Sequence, residues 1–382
     1  MRAESLAWFD QAMPRASAEV AGLKAKNVKI VGFYCVFAPQ ELVLAAGGFP
    51  VALCATKEEP IADGEKDLPR NFCALIKSSY GFAITDKCPF FVNAEFIIGE
   101  TTCDGKKKMF ELMSTFKPTI VLEVPQGANG KAQDEYWFSE VQRCKSEIEQ
   151  RLGVTITTDS LKAAINRMNE QRRLIREAAD LNRADPPVIS GLDLLKVTWA
   201  RNFTYDPEEF NTHLKAVIEE GKKMQADGVG AFPKGTPRII VTGVPTGLGS
   251  EKVLKIIEES GAAIVYIENC AGMKQYLHDV DVNEPDLVRA VARKYLKTPC
   301  SCMSPNTERM DILARVADEY HADGIVDVTW IGCHTYNVES RILTKAMKEK
   351  GIPVMQIETD YSQADTEQIR TRVEAFIDMI RT

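Results

Sequence analysis

The chain has 382 residues, of which 45% are hydrophobic and 26% are charged, and its formal net charge is −7. These proportions are ordinary for a globular protein, and the length indicates two domains rather than one core. The acidic balance excludes a general nucleic-acid binder, because neutralising phosphates requires an excess of basic residues. The sequence contains neither a signal-peptide pattern nor an apolar run of about 18 residues, so it predicts a cytoplasmic protein without a membrane span.

The first part of the chain alternates between short apolar runs and helical patterns. Strands are predicted at 28–35, 49–54, 95–103 and 118–125, each followed by a segment with helical spacing. Strands and helices in alternation are typical of a parallel sheet with helices on both faces. The first 134 residues are therefore predicted to form one α/β domain.

A different pattern fills the middle of the chain. Three long, charged helices are predicted at 135–152, 159–182 and 207–227, and residues 228–237, rich in glycine and proline, resemble a linker. The strand and helix alternation then restarts and continues to the last predicted helix.

The whole pattern predicts an α/β protein with two Rossmann- or flavodoxin-like doubly wound parallel-sheet domains that face a common cleft. The predicted divisions are 1–134 for the first domain, 135–236 for a helical segment and linker, and 237–382 for the second domain.

Ten cysteines are present, and no two of them form a C-x-x-C pair. Several follow predicted strands, where open parallel sheets bind their ligands, namely Cys35, Cys54, Cys103, Cys270 and Cys333. At three positions of the strand and helix pattern, both halves of the chain have a cysteine. This indicates that two similar units bring thiols to one cleft. A packing role is the alternative for each thiol, and disulfides are not expected in a protein that is not secreted.

Two cysteines are predicted to lie outside this arrangement. Cys88 follows a helix that begins at Cys73 and runs about 20 Å away from the ligand-binding edge of the sheet. Cys144 lies within the charged helix at 135–152 and is predicted to be a packing residue.

Residues 68–113, which begin LPRNFCALIKSS and include the GETTCDGKKK segment, resemble the 2-hydroxyacyl-CoA dehydratase and benzoyl-CoA reductase superfamily. The segments FAPQELVLAAGGFPVAL and IGCHTYNVES support this resemblance, which covers nearly the whole chain. It implies that Cys73, Cys103 and Cys333 hold a 4Fe–4S cluster. The additional thiols of Cys35 and of the pair Cys300 and Cys302 make the chain most similar to the double-cubane cluster proteins of that superfamily.

The resemblance implies a reductase with an 8Fe–9S double cubane, in which two 4Fe–4S cubanes share a bridging sulfide. Such a reductase acts on a small molecule in an ATP-dependent reaction, with low-potential electrons from a separate ATP-hydrolysing iron–sulfur activator. One alternative is a 2-hydroxyacyl-CoA dehydratase subunit with one 4Fe–4S cluster, which would be a lyase, and the other is a non-catalytic electron carrier.

Cys35, Cys270 and Cys302 are favoured as the ligands that complete the second cubane, with Cys54 and Cys300 as alternates. The helices predicted after Cys73 and Cys103 would direct their positive dipole ends at these thiolates. Five residues near the predicted cleft are candidate proton donors, although each is also an ordinary hydrogen-bonding side chain: Glu41, Glu100, Glu268, His334 and Glu339.

The sequence lacks a P-loop, because GETTCDGKKK has the wrong glycine spacing and has Lys107 where magnesium would need a hydroxyl. ATP hydrolysis is therefore expected on the activator. The turn at 243–250 is predicted to be structural or to bind a phosphate or carboxylate.

A homodimer is predicted, with part of the helical segment near its interface, because two-fold dimers are the commonest oligomers. Neither a nucleic-acid nor a membrane partner is expected.

Overall fold

The computed structural model describes residues 1–381, and its framework is a pair of parallel four-stranded sheets. The first sheet contains β1 (Ile30–Phe33), β2 (Phe49–Ala52), β3 (Phe96–Glu100) and β4 (Thr119–Leu122) in the order β2-β1-β3-β4. The second contains β5 (Arg238–Gly243), β6 (Ala263–Glu268), β7 (Gly324–Trp330) and β8 (Val354–Thr359) in the order β6-β5-β7-β8. The two orders are equivalent, which confirms the predicted pair of doubly wound units.

Helices connect and cover these strands. Those of the first unit are α1 (Ala7–Asp10), α2 (Ala12–Ala25), α3 (Gln40–Ala45), α4 (Ile61–Gly64), α5 (Ala74–Ile84), α6 (Pro89–Asn93) and α7 (Asp104–Met113). Those of the middle segment are α8 (Lys131–Leu152), α9 (Thr158–Asp180), α10 (Gly191–Ala200) and α11 (Pro207–Ala226). Those of the second unit are α12 (Lys252–Glu259), α13 (Leu287–Leu296), α14 (Thr307–Glu319), α15 (His334–Lys348) and α16 (Thr366–Arg381). Short 3-10 turns occur at Glu4–Leu6, Leu181–Arg183 and Met273–Tyr276.

The central strands of both sheets are buried on both faces. Every residue of the central strands β1, β3, β5 and β7 is buried, as expected for parallel strands covered by helices on both sides, and so is every residue of the edge strand β6. The strand order reverses between β1 and β3 in the first sheet and between β5 and β7 in the second. In open α/β sheets the loops diverge at such a reversal and leave a crevice, which is where ligands usually bind.

The middle segment differs from the prediction in one helix. α8, α9 and α11 form close to their predicted positions, but α10 has no counterpart in the sequence prediction. Ser190 caps α10 by accepting a hydrogen bond from the Asp193 backbone N–H at 3.0 Å. Eight of its ten residues are buried, so the helix lacks the single apolar stripe that marks a surface helix in a sequence.

The helical segment packs against both sheets. In α9, Leu161 and Ile165 belong to the core that includes β1 and β3, whereas Ile175 and Ala178 belong to the core that includes β5 and β6. Within residues 1–381, no helix combines the length and the apolar character needed to cross a membrane.

The carboxyl edges of the two sheets face each other, as predicted. The loop after β2 contacts the second unit twice, since Thr56 Oγ1 donates to Leu248 O at 2.5 Å and Ala55 O accepts from Tyr361 Oη at 2.9 Å. The Ser304 backbone N–H donates to Gln126 O at 2.7 Å on the other side. The cleft between these contacts is therefore formed by both units.

Candidate metal centre

Seven cysteines from distant parts of the chain converge in this cleft, and we refer to them as the cysteine cluster. Their thiols are near enough to influence one another's ionisation, and they are Cys35, Cys73, Cys103, Cys270, Cys300, Cys302 and Cys333. Cys35 also influences the Cys54 thiol, which is left out of the cluster because it donates to a backbone carbonyl. Among residues 1–381 every cysteine is free of disulfide bonds. The cluster contains all six cysteines favoured from the sequence together with the alternate Cys300.

Three of these cysteines precede helices. Cys73, Cys103 and Cys333 are the N-cap residues of α5, α7 and α15. The Cys103 Sγ accepts a hydrogen bond from the Lys106 backbone N–H at 3.4 Å. Burial, followed by the nearby Cys333 thiol, raises the pKa of Cys73 to about 12. The three thiols are therefore neighbours at the positive ends of three helices.

Gly332 allows the loops that carry Cys333 and Cys73 to touch. Its φ is +81°, and a Cβ at this position would lie 2.5 Å from Asn71 O and 3.1 Å from the Cys73 backbone nitrogen. A side chain at residue 332 would therefore separate the two cysteines.

The other four cysteines form two pairs. The neighbouring Cys270 thiol lowers the pKa of Cys35, and the pKa of Cys270 is raised in turn. The neighbouring Cys302 thiol lowers the pKa of Cys300, and the pKa of Cys302 is raised in turn. Each half of the chain contributes to the first pair, whereas the second pair comes from the loop between α13 and α14.

Two buried lysines flank the cysteine cluster, one from each unit. Burial alone would lower the pKa of Lys106, but the Cys35 and Cys54 thiols and the Glu100 carboxyl raise it overall. Lys274 lies near Cys270 and Cys300, and its Nζ is 3.1 Å from Glu268 Oε1 and donates to Tyr336 Oη at 2.9 Å. Nearby ammonium groups favour thiolates.

The sequence pattern identifies neither lysine. The run 106–108 resembles a solvated helix face, and Lys107 and Lys108 are indeed exposed, but Lys106 is buried. The one feature of the sequence that could have identified Lys106 is its position three residues after Cys103, on the first turn of the following helix.

The three remaining cysteines have other environments. The Cys54 thiol lies near Cys35 but donates to Tyr34 O, and burial raises its pKa to about 12. Cys88 caps α6 by accepting from the Phe91 backbone N–H at 3.5 Å. Cys144 is fully buried on α8 in the core that contains Trp137.

The five candidate proton donors fall into distinct environments. Glu41 is paired with Arg172, and Glu268 and Glu339 are both paired with Arg309. His334 is exposed at the start of α15.

Glu100 differs from the other candidates because neither of its carboxyl oxygens has a hydrogen-bond partner among the described residues. Burial, followed by the nearby Cys35 thiol, raises its pKa well above the ordinary value. Its side chain is 0% exposed and lies near Cys35, Cys54 and Lys106.

The donor set of the cysteine cluster fits an iron–sulfur cluster better than a single ion. In the described part of the chain, no three His, Cys, Asp or Glu side chains converge tightly enough to hold one metal ion. A cubane contains several irons and sulfides, so its protein ligands stand farther apart than those of one ion. Thiolates are the ligands that such clusters take, and the convergence of seven cysteines provides them.

A surface groove lies elsewhere. It has a volume of about 610 Å³ and is lined by residues of α14 and of the segments that precede β7 and β8, including Arg315, His321 and Lys350. These segments are at the amino edge of the second sheet, opposite the cysteine cluster, so the groove is not part of the candidate metal centre.

Comparison with known proteins identifies the family. The family model described as 2-hydroxyglutaryl-CoA dehydratase, D-component, matches residues 35–380. The chain is 43% identical over 373 residues to the putative dehydratase subunit YjiM of Escherichia coli strain K12, covering 97% of both chains. It is 27% identical over 355 residues to the (R)-phenyllactyl-CoA dehydratase beta subunit of Clostridium sporogenes, covering 91% of both.

A reductase is also similar to the chain. One of the benzoyl-CoA reductase subunits of Thauera aromatica is 21% identical over 360 residues, covering 92% of this chain and 91% of that protein. Matches of this extent to both kinds of enzyme agree with the resemblance seen in the motifs around Cys73, Cys103 and Cys333. The chain therefore belongs to the 2-hydroxyacyl-CoA dehydratase and benzoyl-CoA reductase superfamily.

Proposed function

We propose that this chain is an iron–sulfur reductase that holds an 8Fe–9S double cubane and reduces a small molecule with electrons from a separate ATP-hydrolysing activator. The observation that supports this proposal is the convergence of seven thiols from both units at the facing edges of the two sheets. One cubane needs at most four protein thiolates, so seven thiols in one cleft favour two cubanes over one.

We assign Cys73, Cys103 and Cys333 to one cubane, because their thiols are neighbours at three helix starts. We assign Cys35, Cys270 and Cys302 to the second, with Cys300 as the alternate to Cys302. Cys54 is the less favoured alternate, since its thiol donates to a backbone carbonyl.

The residues around the cysteine cluster have two roles in this proposal. Lys106 and Lys274 place positive charge beside the thiolates. The Glu100 carboxyl, buried and without a hydrogen-bond partner in the described part of the chain, holds a proton at Oε1 or Oε2 near Cys35. When bound, the double cubane would supply electrons of low potential to a small unsaturated molecule.

A second candidate function is a 2-hydroxyacyl-CoA dehydratase subunit with a single 4Fe–4S cluster on Cys73, Cys103 and Cys333. The names of two relatives favour it, since one is named a putative dehydratase subunit and the other a dehydratase beta subunit. In this case the Cys35, Cys270, Cys300 and Cys302 thiols would be structural.

The metal content distinguishes the two candidates. The protein should be purified without oxygen, and its iron and acid-labile sulfide should be measured per chain. The double cubane predicts about eight irons, whereas the single cluster predicts about four. A chain that binds about eight irons but is reduced and reoxidised without converting any substrate would instead be an electron carrier. About four irons in fully loaded protein would contradict the proposal.

A further inference from the structure

A small cavity lies directly behind the Cys35 and Cys270 pair. Val36, the residue after Cys35, forms part of its wall. Gln275 forms another part, and its Nε2 donates to the Cys270 carbonyl oxygen at 3.2 Å. Two residues of the cavity wall are therefore linked to the cysteine cluster, Val36 by its peptide bond to Cys35 and Gln275 by its hydrogen bond to the Cys270 backbone.

Three buried cations line this cavity. Arg172, Arg201 and Lys294 are only 2%, 8% and 7% exposed. Arg172 donates to Glu41, whose other carboxylate oxygen accepts from Tyr295 Oη at 2.8 Å. Among residues 1–381, Glu41 is the one carboxylate bonded to this group of cations, so positive charge exceeds negative charge by two.

Arg201 and Lys294 have neutral partners. Arg201 donates to the side-chain oxygens of Gln40 and of Gln171, the latter at 3.3 Å. Lys294 donates to the Gln275 carbonyl oxygen at 3.3 Å, and its Nζ lies 4.0 Å from the centre of the Tyr295 ring. In the described part of the chain neither forms a salt bridge.

This charge excess is costly unless it is compensated. Buried charges in proteins are normally paired, because removing an ion from water without a counterion costs several kcal/mol. Burial, together with repulsion by Arg172 and Arg201, lowers the pKa of Lys294 well below its ordinary value. Even a neutral Lys294 would leave one unpaired guanidinium.

The size of the cavity restricts what can compensate the charge. The centre of a water-sized group has about 10 Å³ available, which is room for a single water or a halide and not for a carboxylate, a phosphate or a coenzyme. We propose that Arg172, Arg201 and Lys294 form a binding site for a halide ion. This inference does not depend on the number of cubanes.

Bromide provides a direct test. Crystals of the anaerobically purified protein, with its metal retained, should be soaked in sodium bromide, and anomalous scattering should be measured near the bromine absorption edge. A bromide is expected in the cavity of the native protein and of Lys215→Met, a control that removes an exposed lysine paired with Glu170. The same position is expected to be empty in Lys294→Met. A native cavity without bromide overturns the proposal, as does equal occupancy in Lys294→Met.

A solution measurement on the same three proteins tests both the binding and the size limit. The thermal unfolding midpoint should be titrated separately with chloride and with formate in a buffer whose only other anion is a bulky sulfonate. Binding of chloride predicts a saturable rise in the native protein and in Lys215→Met that is lost in Lys294→Met. Formate is expected to give no saturable rise, because its three heavy atoms exceed the cavity, and an equal saturable rise with formate would overturn the assignment to a halide. An equal, unsaturated rise in all three proteins is a general salt effect and contradicts the proposal.

Discussion

Cys103 has the local chemistry expected of a metal-ligating thiolate. Its Sγ accepts a backbone N–H from the first turn of α7, and the buried Lys106 ammonium lies close to it. Both interactions stabilise the charged form of the thiol, and they oppose the burial that raises its pKa. Cys144 is more deeply buried but lies among apolar side chains of α8, so it offers a comparison without these interactions.

Cys103→Ala is therefore predicted to lose one cubane, or about half of the iron of the native protein. Cys144→Ala is predicted to keep all of its iron and to lose about 1 kcal/mol of stability through a small cavity. Iron and sulfide analysis of both variants, purified without oxygen, tests this. Full iron content in Cys103→Ala would show that this thiol is not a ligand.

The sequence predicts which residues lie at the site only where those residues directly follow a strand. Cys35, Cys103 and Cys333 follow β1, β3 and β7, and strand ends are readable from apolar runs. Cys300 and Cys302 lie on one short turn, so both belong to the cysteine cluster. Their spacing in the sequence does not show which of the two is the metal ligand. The inward direction of Lys106 depends on packing that its neighbours Lys107 and Lys108 do not share.

The turn between β7 and α15 controls how closely two cysteines approach. Gly332 and Gly351 both have left-handed backbone angles, with φ of +81° and +74°. A Cβ on Gly332 would collide with the backbone of Asn71 and Cys73, whereas a Cβ on Gly351 would meet nothing within 4 Å. The two glycines therefore separate the cost of the backbone angle from the cost of the collision.

Gly351→Ala is predicted to lose about 1–2 kcal/mol of unfolding free energy and to keep its iron, because only the left-handed angle is penalised. Gly332→Ala is predicted to lose more stability and part of its iron, because the Cys333 loop must move away from Cys73. Chemical denaturation and iron analysis of both variants measure these effects. Equal iron content in the two variants would show that the contact at Gly332 does not position the cysteines.

Most helices and strands could be predicted because each has a pattern that its environment requires. The buried parallel strands appear as continuous apolar runs, and α9 and α11 have a polar face toward solvent. α10 escapes prediction because it is covered on nearly all sides. Leu194 and Val197 lie in the core that includes β5 and β6, whereas Leu195 and Trp199 lie in a different hydrophobic core, so the sequence of α10 has no periodic polar face. The divisions at 134 and 236 stay a proposal, and the packing of α9 on both units shows why sequence patterns alone do not place them.

At the scale of the whole molecule, the reaction proposed here needs an electron donor that the chain does not contain. The sequence lacks a P-loop, and the cysteine cluster is at a cleft between two units rather than deep within one. Turnover is therefore predicted to require an ATP-hydrolysing iron–sulfur activator, ATP and a strong reductant together. The rate should be measured with each component omitted in turn. An undiminished rate with the reductant alone would contradict the need for an activator.

The exposed apolar side chains indicate where a dimer interface would lie. The apolar faces of α9 and α11 are covered within the chain, so they give no reason to place an interface on the helical segment. Val338 and Ile342, one turn apart on α15, are instead 70% and 58% exposed and adjoin the Cys333 turn, where Ile331 is 52% exposed. Exposed apolar patches of this kind mark interaction surfaces.

We therefore retain the prediction of a homodimer and place its interface on this face of α15. Sedimentation of the anaerobic protein at micromolar concentration should give twice the chain mass of 42.5 kDa. Val338→Asp with Ile342→Asp should shift the protein to monomer, because two buried carboxylates at a two-fold interface face their own copies. Val154→Asp, at another exposed apolar residue, should leave the dimer intact. A native monomer would contradict the dimer itself, whereas a dimer that survives the double substitution would contradict only the position of its interface.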